Sequence, residues 1–154
     1  QGKFNSPYGS YTKPKICDAE NILQVHSVLN YKNVVLLNSD FDKLRSKIQK
    51  KSFVYLDPPY KPISKTSNFT SYSAEAFDDE AQIRLANLLK FIDTKKAIFM
   101  LSNSEPKNEN PDDTFFDDIY QGFSVRNVYA SRMINSKADK RGKIKEIVVT
   151  NYKV

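Results

Sequence analysis

Cysteine, histidine, glycine and tryptophan are all scarce in this 154-residue chain: one, one, four and none. With Cys17 as the sole thiol, neither an internal disulfide nor a cysteine-built metal site can form. A reducing, cytoplasmic setting fits that usage. Cys17 follows an isoleucine and reads as buried, with no nearby base to activate it. His26 falls inside a predicted helix with no second ligand type beside it, so no metal is expected. No serine stands in a nucleophile-elbow setting. No apolar run approaches the roughly 18 residues of a membrane span, and no segment reads as a signal peptide. The Asn68-Phe69-Thr70 glycosylation pattern therefore carries little meaning. Disulfide scaffolds, thiol chemistry and membrane spans are thus set aside. No obligate protein partner is evident.

What the chain has is basic charge and aromatic rings. Lys and Arg number 24 against 18 Asp and Glu, a formal charge of +6, and the pI is about 9.3. That balance suits a polyanionic partner such as nucleic acid, although many soluble proteins are mildly basic. Lys43, Arg45, Lys47, Lys50 and Lys51 crowd one segment and resemble a solvated helix face. Lys137, Lys140, Arg141, Lys143 and Lys145 crowd a polar loop, where phosphates could be met. The length suffices for one domain with a real core.

Residues 1–17 mix Pro7, Gly9 and Pro14 with aromatic rings and read as turns. Asp18 is a fair N-cap for a helix over 19–30, with Ile22, Val25, Val28 and Leu29 on one side. The run from Asn33 reads as a buried strand ending at Asp40, followed by a helical piece to Lys51. "FVYLD" is the next strand, and residues 61–76 form a long loop. Asp78 caps a predicted helix to about Asp93, with Ala81, Leu85, Leu88, Leu89 and Ile92 at helical spacing. Residues 97–103 form another buried strand, a short helix lies near 113–121, and "FSVRNVYA" and "IKEIVVTNY" are strands. Asp112-Asp113 reads as helix capping and Asp117-Asp118 as a solvated face. This order predicts an α/β sheet whose last two strands are antiparallel at one edge. Ligands of such sheets sit beyond the strands' carboxyl ends. Three predicted strands end there in polar residues: Asn38-Ser39-Asp40, Asp57-Pro58-Pro59-Tyr60 and Ser102-Asn103.

The middle one has the most chemistry. Asp57 can accept hydrogen bonds from an amino group. Pro58 and Pro59 fix φ and have no N–H, so their carbonyls face the site with little competition. Tyr60 supplies a flat stacking face. Together they form a socket for a planar group bearing NH₂, such as a nucleobase. The lone pair of that nitrogen is delocalised into the ring, and two acceptors drawing its hydrogens out of line favour a more reactive nitrogen. A base must leave the helix stack to reach such a pocket. The competing reading is a plain strand-to-turn junction.

"DPPY" is the catalytic motif of adenine-specific, amino-group DNA methyltransferases. The longer stretch "LDPPYKPISKTSNFTSYSAEAF" resembles the Dam and DpnII-type enzymes that modify GATC, which share Pro-Leu/Ile-Ser, Asn-Phe-Thr and a Tyr after the motif. "FMLSNS", "RGKIKEIVVTNY" and "GKFNSPYGSYTKP" resemble further stretches of the same family, in order along nearly the whole chain. The resemblance implies a Rossmann-like sheet that uses S-adenosylmethionine to methylate N6 of adenine in double-stranded DNA by base flipping, in a restriction-modification or related setting. It implies that Asp57 and the Pro58 carbonyl hold the adenine amino group and that Pro59 and Tyr60 complete the catalytic motif. Tyr60 would stack on the base. Asp40, Phe41 and Asp57 would contact the cofactor. Asn68, Phe69 and Tyr72 would close over the flipped base, and Asn5, Pro7 and Tyr11 would face DNA. Lys140, Arg141 and Lys143 would add phosphate contacts.

Two departures are visible. Basic side chains that Dam-type enzymes carry at two DNA-facing positions are Ser10 and Thr12 here. The family's cofactor-binding "F-x-G-x-G" turn is not formed by Gly2, Gly9, Gly122 or Gly142, and its lysine-bearing motif is not found. The expectation is a carboxyl-terminal portion of such an enzyme. Residues 1–17 would be the tail of the recognition segment and 18–154 part of the catalytic domain. The sheet would be incomplete on its N-terminal side and the chain inactive alone. The alternatives are a non-catalytic DNA-binding fragment and a related RNA or amide methyltransferase. The "NFT…Y" and "FN-x-P-[FY]-G" stretches argue against the last.

Overall fold

Parallel strands cannot be joined by a tight turn, and here the crossover is a leucine-striped helix. In the computed structural model, which describes residues 17–61, 77–131 and 143–153, strand β1 (Phe53–Leu56) and strand β2 (Ile98–Ser104) pair in parallel, with Leu56 opposite Leu101. Helix α2 (Asp79–Thr94) lies between them in sequence. The Asp78 carboxylate caps it by accepting from the Ala81 amide at 2.9 Å. Helix α3 (Phe115–Ile119) leads to strand β3 (Ser124–Ser131), and strand β4 (Lys143–Thr150) ends the sheet. β4 is antiparallel to both β2 and β3, so the order is β1-β2-β4-β3. The late antiparallel pair is present, with β4 inside the sheet and β3 at its edge. Gly122 adopts φ +93° in the turn before β3, a conformation side chains rarely tolerate.

Burial alternates along β2: Phe99, Leu101 and Asn103 are buried, and Ile98, Met100 and Ser102 lie on the other face. The buried face meets Leu85, Leu88, Leu89 and Ile92 of α2, with Ile147 and Val149 of β4 and Phe116 and Tyr120 completing one core. Phe99 meets Phe123 edge-on at 5.0 Å, and Phe116 stacks on Tyr120 at 5.3 Å. Gln82 occupies a core position on the same helical stripe, fully buried.

The chain divides into two compact units, Gln1–Ser39 and Asp40–Val154, and the sheet belongs to the second. In the first, α1 (Ala19–Leu29) forms as its pattern predicts, but none of its residues is buried. Three expectations fail. Residues 33–40 form no strand, and Val35 and Leu36 are 73% and 72% exposed. An apolar run asks for burial, but a strand also needs a ladder partner, and residues 33–40 pair with no strand among the described residues. Cys17 is exposed, because the residues after it belong to that same solvent-exposed helix. The helical piece after Asp40 is only a 3₁₀ turn, Phe41–Ser46, and the chain reverses at Lys51 with φ 72°.

Leu89→Ala is expected to destabilise the second unit by about 2–5 kcal/mol in denaturant titration. Leu36→Ala is expected to change stability by less than about 0.5 kcal/mol. Equal losses would show that residues 33–40 carry core packing after all.

Candidate active site

One step beyond the Leu56–Leu101 pair, the parallel register sets Asp57 beside Ser102. The Ser102 hydroxyl donates to Asp57 Oδ1 at 3.1 Å. Both lie on the sheet face opposite α2, since Leu56 and Asn103 occupy the buried face. The Tyr55 hydroxyl stands 3.5 Å from Ser102 Oγ on that same face. Asp57 is exposed, and among the described residues nothing donates to the Pro58 carbonyl. Tyr60 is half-buried, its hydroxyl 3.5 Å from Glu146 Oε2 on β4. Burial raises the Tyr60 phenol pKa, and the Glu146 and Asp57 carboxylates add to the rise.

The turn is held from its other side. The Pro59 carbonyl does not face the site as expected, because it accepts from Gln82 Nε2 at 3.3 Å. Gln82 Oε1 in turn accepts from Asn103 Nδ2 at 3.1 Å. Asn103 Oδ1 accepts from the Lys61 amide at 3.2 Å, and the Ser104 hydroxyl donates to the Lys61 carbonyl at 2.8 Å. The Lys61 ammonium pairs with Asp79 and lies 3.9 Å from the centre of the Phe115 ring. Burial pushes the Tyr120 phenol up to about 12, an effect that the neighbouring Asn103 opposes. Gln82, Lys61 and Ser104 were not singled out by sequence. The available signal was a glutamine on the apolar stripe of α2, three residues before Leu85.

A third cluster surrounds Asp40. The Asp40 carboxylate accepts from the Asp42 amide at 2.9 Å and pairs with Arg84 Nη2 at 2.8 Å. Arg84 also pairs with Asp42 at 2.8 Å, and its guanidinium lies 4.9 Å from the centre of the Phe41 ring. The Asp42 amide is the main cause that holds the Asp40 carboxyl below its ordinary value, with Arg84 second.

The structure therefore brings the ends of β1 and β2 together, as predicted. It places Asp40 and Phe41 on a 3₁₀ turn tied to α2, where the sequence predicted the end of a third strand. Lys143 is exposed at the start of β4. Asn5, Pro7, Tyr11, Asn68, Phe69, Tyr72, Lys140 and Arg141 lie outside the described residues. No group of three or more metal-ligating side chains occurs among the described residues, and no described helix is long and apolar enough to cross a membrane.

Asp57, Pro58 and Tyr60 thus stand together just past the end of β1, with Asp57 bonded to Ser102 of β2. Residues 1–134 match the family model of the D12 class N6 adenine-specific DNA methyltransferases. The chain belongs to that family. Among the relatives of this D12-class chain is the type II methyltransferase M.MjaIII of Methanocaldococcus jannaschii, 47% identical over 99% of the chain and 50% of the relative. M1.LlaDCHI of Lactococcus lactis subsp. cremoris is 41% identical over 99% of the chain and 51% of the relative. A DNA adenine methylase of Haemophilus influenzae is 32% identical over 96% and 49%. The D12-class chain thus spans about half the length of the curated relatives it matches.

Arg84→Ala is expected to raise the Asp40 pKa only part of the way to its ordinary 3.8, since the Asp42 amide bond remains. A carboxyl depressed by folding stabilises fully above its unfolded value and loses that contribution as pH falls through the folded one. The Arg84–Asp40 link should therefore be intact at neutral pH and weaken only below about pH 3.8. Carboxyl-carbon NMR titration of Asp40 checks both points. An unmoved pKa in the variant would remove Arg84 from the electrostatics of Asp40.

Proposed function

We propose that this chain carries the base pocket of an enzyme that transfers a methyl group from S-adenosylmethionine to N6 of adenine in duplex DNA, at GATC, with the target base flipped out of the stack. The observation that carries this reading is the exposed Asp57 carboxylate beside the free Pro58 carbonyl and the half-buried Tyr60 ring. The two acceptors take the hydrogens of the adenine amino group, which turns its lone pair out of conjugation. Ser102 holds one Asp57 oxygen and leaves the other for the amine. The Tyr60 ring offers the stacking face.

The donor set also fits the cofactor. Asp57 presents an exposed carboxylate, and Phe41 presents a partly buried ring next to Asp40. Asp40 and Phe41 would hold the cofactor's adenine ring, and Asp57 would lie beside its methionyl part. When bound, the cofactor supplies an electrophilic methyl group. Asn5, Pro7 and Tyr11 would face DNA, Asn68, Phe69 and Tyr72 would close over the base, and Lys140, Arg141 and Lys143 would meet phosphates. The four-stranded sheet is read as part of a Rossmann-like methyltransferase sheet, working in the cytoplasm.

A second reading is a DNA-binding piece without turnover of its own. Its support is the lack of an "F-x-G-x-G" turn in the 154 residues. Without that turn the chain holds the cofactor from one side only. Labelled S-adenosylmethionine and a GATC duplex separate the two readings. The 154-residue chain alone is expected to transfer no label and to bind the cofactor weakly in calorimetry. Transfer at the rate of the whole protein would show that these residues form a complete cofactor site.

In the whole protein, Asp57→Ala is expected to abolish transfer while leaving DNA binding largely intact. Tyr60→Phe should keep most activity, and Tyr60→Ala should lose about 1–3 kcal/mol of base stacking. Wild-type turnover in Asp57→Ala would exclude that carboxylate from the chemistry. Equal behaviour of the two Tyr60 variants would exclude stacking.

A further inference from the structure

We propose that Gln82 is a positioning residue of the base pocket: acting from the α2 side of the sheet, it fixes the direction of the Pro58 carbonyl. The inference rests on the function proposed above. Gln82 is 0% exposed on a stripe shared with Leu85 and Leu89, where a leucine would bury well. A primary amide is tolerated there only if both of its ends are bonded. Both are: Nε2 donates to the Pro59 carbonyl at 3.3 Å and Oε1 accepts from Asn103 at 3.1 Å. Asn103, also 0% exposed, holds the Lys61 amide at 3.2 Å. The hydrogen-bond path leaves the turn at Lys61, passes through Asn103 and Gln82, and re-enters it at Pro59.

That closure matters because the turn has no amides of its own at Pro58 and Pro59. The Pro59 ring fixes φ, which leaves ψ of Pro59 as the soft angle between two peptide planes. One plane carries the Pro59 carbonyl and leads to Tyr60. The other carries the Pro58 carbonyl. Pinning the Pro59 carbonyl to Gln82 sets ψ, and so sets where the Pro58 carbonyl points relative to the Tyr60 ring. Gln82 touches neither base nor cofactor, and its effect passes through the turn.

Two variants of the whole protein test this. Gln82→Met keeps the length and removes both bonds. Gln82→Glu keeps the acceptor for Asn103 and can donate to Pro59 only when its carboxyl is protonated. The single-turnover methyl-transfer rate per folded molecule is expected to fall about 10²-fold in Gln82→Met, the cost of misplacing a reacting group by about 1 Å. Affinities for cofactor and duplex should stay within about twofold. The Gln82→Glu rate relative to wild type should fall as pH rises. Lys61, Asp79 and Tyr120 are common to both proteins, so the ratio isolates the introduced carboxyl. A merely structural role would lower the folded fraction and leave both the rate per molecule and this pH ratio unchanged.

Exchange of the Lys61 amide should quicken in Gln82→Met, whereas amides in the middle of β2 keep their protection. If Gln82→Met does not fold, the Gln82→Glu pH ratio decides alone. A flat ratio, or a Gln82→Met enzyme with the wild-type rate per folded molecule, overturns the proposal and leaves the methyltransferase reading standing. If the wild-type protein transfers no methyl group, that reading falls. The Lys61 amide then decides the inference, faster exchange supporting the lock and unchanged exchange refuting it.

Discussion

Helix α2 is the constraint on which the second unit depends. A parallel β1–β2 pair needs a crossover that buries its own apolar stripe against the strands it connects. Leu85, Leu88, Leu89 and Ile92 do this against Phe99 and Leu101. Once the helix is seated, the strand register is fixed, since a slip of one residue would turn Phe99 and Leu101 to the open face. The same register puts Asp57 next to Ser102. The stripe that stabilises the fold also delivers Gln82 and Asp79 to the underside of the Asp57–Lys61 turn. Core and site are therefore two surfaces of one packing arrangement.

Two sheet faces divide the labour. Where it packs against α2, the buried face is apolar except for Gln82 and Asn103, and those two bond to one another and to the turn. The opposite face carries Tyr55, Asp57 and Ser102, with their polar atoms exposed or only partly covered. A buried amide pair in a dry core is costly if any partner is missing. Its presence under the turn therefore marks a place where backbone direction matters more than apolar burial. The Asp40–Arg84–Asp42 cluster is a different kind of link. It lies at the surface, exposed to solvent and salt, so it orients the 3₁₀ turn while adding little to stability.

Much of this was legible in the residues. The period of Leu85, Leu88, Leu89 and Ile92 gave the helix, and the apolar run before Asp57 gave a strand ending at the motif. Ser102 and Asn103 were legible as a polar strand end but not in their separate roles. Alternation sends Ser102 to the site and Asn103 to the core, and only the register tells which is which. At residues 33–40 the apolar content predicts burial but says nothing of a ladder partner. Gln82 is harder to read, because a polar residue on an apolar stripe shows its purpose only through its two bonds. Proline chemistry frees the Pro59 carbonyl without saying which way it turns, and it turns to Gln82.

The grip on Lys61 has a further consequence for tolerance to length change. The turn after β1 runs to Lys61, and the Lys61–Asp79 ion pair ties it directly to the start of α2. The ends of the span between are thus tied to each other by residues outside it. Each doubling of a loop's length costs only about 0.6 kcal/mol of closure entropy. Insertions or deletions between those anchors are therefore expected to leave Asp57 and Tyr60 in place.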